Sequence, residues 1–170
     1  MFFNKKNKMT LETYSYYVLY IISNGAKNFF EDVKDFIKFD LYSEIAYYTF
    51  FTYISETILL RKYSENTVNK IKNLIIKRII KLQYKDCAPQ SEEMITTLQC
   101  LYNEYYNILK MSAYDFNKEE DLYKISKLFL EILELPADIT CIMKISIEFA
   151  SFIKFHTQNI LNNNIEIIEK

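Results

Sequence analysis

Glycine and proline are nearly absent from this chain: one glycine and two prolines in 170 residues, against ordinary shares of about 7% and about 5%. Residues 26–88 contain neither. Strand-rich folds need turn residues every few positions, and phosphate-cradling loops need glycines. The shortage therefore argues against sandwiches, barrels and nucleotide-binding loops. Tryptophan is missing altogether, and histidine occurs once, as His156. A single imidazole cannot supply the two Glu-x-x-His pairs of a carboxylate-bridged di-iron bundle or a shell of several nitrogen or sulfur ligands. The expectation is that the chain holds no metal and no cofactor.

Cysteine is scarce as well. Cys87, Cys100 and Cys141 are odd in number, far apart and not in CxxC pairs, which speaks against structural zinc and disulfides and for a reducing compartment. Long apolar runs are lacking too. Spanning a bilayer takes about 20 apolar residues, and the nearest run, 45–60, is broken by Ser55 and Glu56. Lys5, Lys6 and Lys8 followed by the apolar stretch 14–22 have the outline of a secretion signal. That stretch carries four tyrosines and a serine, and Ser23-Asn24-Gly25-Ala26-Lys27 after it offers no clear small-x-small cleavage site. The expectation is a cytoplasmic protein without a membrane span.

What is present is aromatic and aliphatic. The chain has fifteen Tyr and thirteen Phe, and 50% of it is hydrophobic and 25% charged, with a net charge of −1. That is globular composition. The balance of charge gives no global signal for nucleic acid or an anionic membrane. Isoleucine, lysine, asparagine and tyrosine are abundant, while Arg61 and Arg78 are the only arginines. AT-rich codons produce such a set, so a low-GC genome of a bacterium, phage or virus is expected.

The apolar spacing follows the helical period. The pattern predicts a first helix over about 10–22, a turn at Gly25, and a second helix with Phe29, Phe30, Val33, Phe36 and Ile37 on one face. Asp40 reads as the N-cap of a helix from Leu41 to about Arg61 that is apolar on nearly every side and therefore central. Ser64 caps a helix to about Tyr84 with Val68, Ile71, Ile75, Ile79 and Leu82 as its stripe. A loop at 84–91 contains Pro89, and Ser91 opens a helix with Met94, Leu98, Leu101, Tyr105 and Ile108 in register. Asn117 and Glu120 have capping-box spacing before a helix burying Leu122, Ile125, Phe129 and Ile132. After the break at Pro136, a last helix over about 138–161 buries Ile142, Met143, Ile145, Phe149, Phe152 and Ile153. The fold expected is all-α: a single-domain irregular bundle of six to seven helices over residues 1–170, with a mobile N-terminus (1–9) and a frayed turn or mobile tail (162–170).

Candidate chemistry is sparse. His156 and Cys141 share a helix, but fifteen residues separate them by about 22 Å along the axis, too far to cooperate. Cys100 would have to reach His156 across the bundle. Glu44 and Glu56 lie within the most apolar helix; a buried carboxylate there would have a raised pKa and serve as acid or base. The plainer reading is solvent, or a tyrosine or lysine on a neighbouring helix. Glu44 is the acid singled out for a test of function.

Residues 61–85 hold eight basic residues and one acidic residue. Lys70, Lys77, Arg78 and Lys81 are read as gathering opposite the isoleucine stripe, as a surface for phosphate or an acidic partner or simply as a solvated face. Two arginines are too few for guanine readout to lead the argument. Of the N-terminal tyrosines, Tyr14 and Tyr17 share a face with Val18 and Ile21, which leaves Tyr16 and Tyr20 on another face, as interface candidates.

Function is read mainly by subtraction. The first expectation is a non-enzymatic protein-binding module: an inhibitor, immunity-type protein or accessory subunit. The second is a nucleic-acid-associated regulator using the basic helix 61–85. The third is an enzyme with a carboxylate and tyrosine site in a bundle cavity. Another protein is the expected partner, with homodimerisation as a further expectation because symmetric pairs are the commonest oligomers.

Overall fold

The structure, a computed structural model, describes residues 7–37, 40–83, 96, 119–161 and 163–168, with only the backbone of 41, 42, 82 and 83. A short strand, β1 (Asn7–Thr10), leads directly into α1 (Leu11–Val33). Thr10 caps α1, its hydroxyl accepting from the Thr13 N–H at 3.1 Å. Tyr14, Val18, Ile22, Ala26, Phe29 and Val33 are buried along it at steps of three and four.

The turn expected at Gly25 is not there. Gly25 lies inside α1, with no positive φ at the glycine. It is needed for closeness rather than for a turn. A Cβ at this position would overlap the edge of the Phe152 ring and come within 3.1 Å of the Tyr47 hydroxyl. The helix keeps a residue worth about 1 kcal/mol less than alanine in helix propensity so that a neighbouring helix can seat an aromatic ring against its backbone.

The second helix, α2 (Leu41–Leu59), starts at Asp40 as read from sequence. The Asp40 carboxylate accepts from the Ser43 N–H at 2.8 Å, and the Ser43 hydroxyl accepts in return from the Asp40 N–H at 3.0 Å. From Ile45 to Leu59 nearly every described side chain is buried, which makes α2 the central helix. Its alcohols turn inward: Thr52 donates to the Tyr48 carbonyl and Ser55 to the Phe51 carbonyl. No water is needed to satisfy them.

Ser64 precedes α3 (Glu65–Gln83), and its hydroxyl accepts from the Thr67 N–H at 3.3 Å. Next among the described helices is α4 (Glu119–Ile132), with three acids in its first turn, where the helix dipole favours them. It ends in a Schellman turn: the Leu135 N–H donates to the Leu130 carbonyl and the Glu134 N–H to that of Glu131, each at 3.0 Å. Glu134 occupies the left-handed position at φ 54°, where glycine is usual. Pro136 follows, and Asp138 then caps α5 (Ile139–Leu161) by accepting from the Cys141 N–H at 2.9 Å.

The described residues thus hold five helices rather than six or seven. Two of the expected helices are one continuous α1. The expected loop at 84–91, the helix with Met94 to Ile108, the Asn117 cap, Cys87 and Cys100 lie outside the described residues. β2 (Ile165–Ile168) pairs in parallel with β1, Asn7 opposite Ile165 and Thr10 opposite Ile168, an element the sequence pattern did not show. Helices still dominate, so the fold is all-α with one two-stranded addition.

The core is an aromatic stack drawn from four helices. Phe29 of α1 lies parallel to Phe149 of α5 at 5.5 Å, and Phe50 of α2 meets Phe149 at 4.6 Å. Phe129 of α4 meets Phe149 edge-on at 5.2 Å, and Phe51 meets Phe152 at 3.9 Å. Offset and edge-on pairs of this kind add about 1 kcal/mol each beyond burial. Met143, expected in the buried stripe of α5, is instead exposed. No described helix is long and apolar enough to cross a membrane.

Candidate functional site

Leu11 of α1 lies beside Leu74 of α3, and Ser15 beside Arg78. The first half of α1 thus packs against the second half of α3. Their joint surface carries most of the residues singled out from sequence. Lys70, Lys77 and Lys81 are exposed along α3. Lys70, Asn73, Leu74 and Lys77 line an open groove of about 310 Å³ with Leu11. Tyr16 and Tyr20 stand on the α1 side, 53% and 64% exposed. They sit apart from Tyr14 and Val18, which are fully buried, as the spacing predicted.

Arg78 departs from the reading. It does not lie opposite the isoleucine stripe but is buried within it. The reason is helical geometry: seven residues after Ile71 is nearly two full turns, so Arg78 returns to the same face. Its guanidinium donates to the buried Ser15 hydroxyl, to the Glu12 carbonyl at 3.2 Å and to the Glu12 carboxylate at 3.2 Å. Its plane also lies 3.2 Å from the centre of the Tyr16 ring. One face of Tyr16 is therefore held by a cation that is itself fixed by three acceptors, while the rest of the ring faces solvent. Spacing alone, counted from Ile71 and Ile75, was the signal that would have placed Arg78 correctly.

Glu44 is elsewhere, half-buried between α1 and α2. With Lys27, Lys34 and Tyr48 it lines a groove of about 410 Å³ that opens to solvent. Burial holds its carboxyl above the usual carboxylate range. Glu56 is buried and takes a proton donor from a neighbouring helix: its Oε1 accepts from Lys72 Nζ at 2.8 Å, while Oε2 has no partner. Lys72 also lies over the Tyr53 ring at 5.5 Å.

His156 is wholly enclosed and stacked on Phe152. Its Nε2 is 2.6 Å from the Ser55 hydroxyl oxygen. Ser55 has one proton and gives it to the Phe51 carbonyl, so Nε2–H donates to Ser55 and Nδ1 is left as a bare lone pair without a partner. Burial pushes the imidazole pKa down to about 3. This pair has no path to solvent and works as a core polar contact. Burial, and then the Asp138 carboxylate to which the Cys141 thiol donates at 3.5 Å, raise the thiol pKa. Among the described residues no three His, Cys, Asp or Glu side chains converge as a metal site.

The pairing of two acids escaped the sequence reading. Asp32 of α1 and Glu148 of α5 line a groove of about 300 Å³ with Asn24, Asn28, Ser151 and Phe155. Burial and the facing Asp32 carboxylate raise the Glu148 pKa. Residues 116 positions apart carry no local signal of such a meeting. Comparison with known protein families, curated proteins and solved structures finds no match to the chain.

Proposed function

We propose that this protein is a non-enzymatic binding module that masks or scaffolds another protein through its α1/α3 surface. An inhibitor, an immunity-type protein or an accessory subunit of a bacterial, phage or viral system fits this reading. The observation that carries it is Tyr16, half exposed yet clamped on one face by the buried Arg78. Binding normally costs about 1 kcal/mol for each side chain that must be immobilised. A tyrosine already held needs less ordering, and tyrosine and arginine dominate interface hot spots. Tyr20 extends the aromatic surface by one turn. Lys77 and Lys81, exposed on the adjoining helix, favour a partner with an acidic surface.

The test is capture of the partner from lysate of the source organism at low and high salt, with Tyr16→Ala/Tyr20→Ala run in parallel. One stoichiometric protein that survives high salt and is lost with the double substitution, while helical circular dichroism is unchanged, supports the reading. Retention by the variant refutes it. The exposed row of Lys70, Lys77 and Lys81 keeps the nucleic-acid reading as the second one. It expects nucleic acid that washes off with salt and is lost in Lys77→Glu/Lys81→Glu. Arg78, occupied inside the fold, contributes nothing to that surface. The enzyme reading rests on Glu44 and expects an activity lost in Glu44→Gln with the fold intact.

A further inference from the structure

α3 carries a stripe of lysines with an apolar side chain set into it. Lys70, Leu74, Lys77 and Lys81 follow one another at steps of four, three and four, so they share one face over about 16 Å. The three lysines are exposed and Leu74 is half-buried. Ile76 and Ile80 of the same helix pack against the core; Leu74 does not. With Leu11 of α1 it gives the groove of about 310 Å³ its apolar lining, and Lys70, Asn73 and Lys77 supply the rest.

The charge of this face is not balanced within the helix. Three and four residues from Lys77 stand Asn73, Leu74, Ile80 and Lys81, so its helical neighbours include a like charge and no acid. Among the described residues the groove lining holds no acid either. Glu12, on the α1 side, gives its carboxylate to Arg78 at 3.2 Å, and those two charges offset each other. Lys8 and Glu166, exposed on the strand pair that leads into α1, stand opposite one another and balance as well. The lysine stripe is what remains. A phosphate backbone would answer the lysines but leave Leu11 and Leu74 bare, whereas an acidic polypeptide answers both. A cavity of about 150 Å³ encloses a benzene ring, so this groove has room for a leucine or phenylalanine side chain.

From the lysine stripe and the apolar groove within it we infer that the partner protein docks here through an acidic segment, one apolar side chain seated between Leu11 and Leu74 and its carboxylates against Lys70, Lys77 and Lys81. This rests on the reading of α1/α3 as the binding surface and names the chemistry that the surface receives. Tyr16 lies five residues beyond Leu11, about 7.5 Å along α1, within reach of the same segment.

Three labelled synthetic peptides test this: glutamates flanking a central leucine, the same peptide with serine for the leucine, and lysines flanking the leucine. Each is titrated against the full chain by fluorescence anisotropy. The glutamate–leucine peptide is expected to bind saturably, the serine peptide about tenfold more weakly, and the lysine peptide not at all. Leu74→Asp should abolish binding, and Lys77→Glu/Lys81→Glu should weaken it about tenfold. Lys154→Glu, a like charge change at an exposed position of α5, should leave it unchanged. All these positions are exposed or half-buried, and circular dichroism checks the folding of each variant. No binding, indifference to the central leucine, or insensitivity to the Leu74 and lysine substitutions overturns the inference. Displacement of the peptide by an equal concentration of duplex DNA would give the face to nucleic acid, and a dimer in light scattering that Leu74→Asp dissolves would give the groove to a second copy; either overturns it. In the lysate capture, a partner lost with Tyr16→Ala/Tyr20→Ala but kept by Leu74→Asp overturns the groove and leaves the reading of the surface standing. A partner kept by the tyrosine variant and lost with Leu74→Asp removes the tyrosines and keeps the groove.

Discussion

His156 shows how much one side chain can set. Enclosed beside Ser55 with its pKa near 3, it stays neutral in the fold, while in the unfolded chain it protonates near pH 6.5. Between those values the unfolded state binds the extra proton, so stability falls as pH falls, by up to about 1.4 kcal/mol per unit. Urea unfolding at about pH 7 and about pH 5 is expected to show this loss, against an opposing gain from Glu44 and Glu148, whose raised carboxyls take up protons more readily folded than unfolded. In His156→Phe, which keeps the stack on Phe152, the loss should vanish; an unchanged slope would assign it to other groups. Gly25 makes a second residue-scale case. Alanine there gains helix propensity, worth about 1 kcal/mol, but its Cβ meets the Phe152 ring, and overpacking costs about 1–3 kcal/mol. Gly25→Ala should lower the melting temperature, and Gly25→Ala/Phe152→Ala should show strong coupling in a double-mutant cycle.

Helix ends are set by local rules, and one of them is met imperfectly. The Schellman turn after α4 places Glu134 in the left-handed region, which costs an L-residue other than glycine about 1 kcal/mol or more. Glu134→Gly should therefore stabilise the protein by about 0.5–1 kcal/mol, read as a rise in thermal midpoint. A fall would mean that the Glu134 side chain contributes more than its backbone strain removes. The element scale also separates the residues of α3. Lys77 and Lys81 face solvent while Arg78 ties α3 to Glu12, Ser15 and Tyr16 of α1. The charge run thus divides between a solvated face and internal struts: Arg78 to α1, Lys72 to Glu56 of α2, and Lys62 to the carbonyls of Ile160 and Asn163.

Across the whole molecule, contacts distant in sequence close the two ends together. β1 meets β2, the Tyr63 hydroxyl donates to the Ile165 carbonyl at 3.1 Å, and Lys62 Nζ donates to the carbonyls of Asn163 and Ile160. Two short strands alone are marginal, so these side chains on the α2–α3 connection matter to them. Tyr63→Phe should cost about 1 kcal/mol and speed amide exchange in residues 165–168 more than in α3. Uniform exchange throughout would show that the strand pair does not rely on Tyr63.

The helical class, the centrality of α2, the Asp40 and Ser64 caps, the break at Pro136 and the split between Tyr14 and Tyr16 were all legible in the order of residues. Each of these depends on neighbours within a few residues, where period and capping chemistry act. The burial of Arg78 was also legible, had its seven-residue step from Ile71 been followed. Tertiary structure alone decided the rest. Gly25 became a contact because Phe152 approaches it from 127 positions away. Ile165–Ile168 became a strand because Asn7–Thr10 lies alongside to take its hydrogen bonds. Asp32 and Glu148 came to share a groove because α1 and α5 pack together. No periodicity encodes such meetings; they arise when whole helices settle on a common core and bring distant side chains within reach.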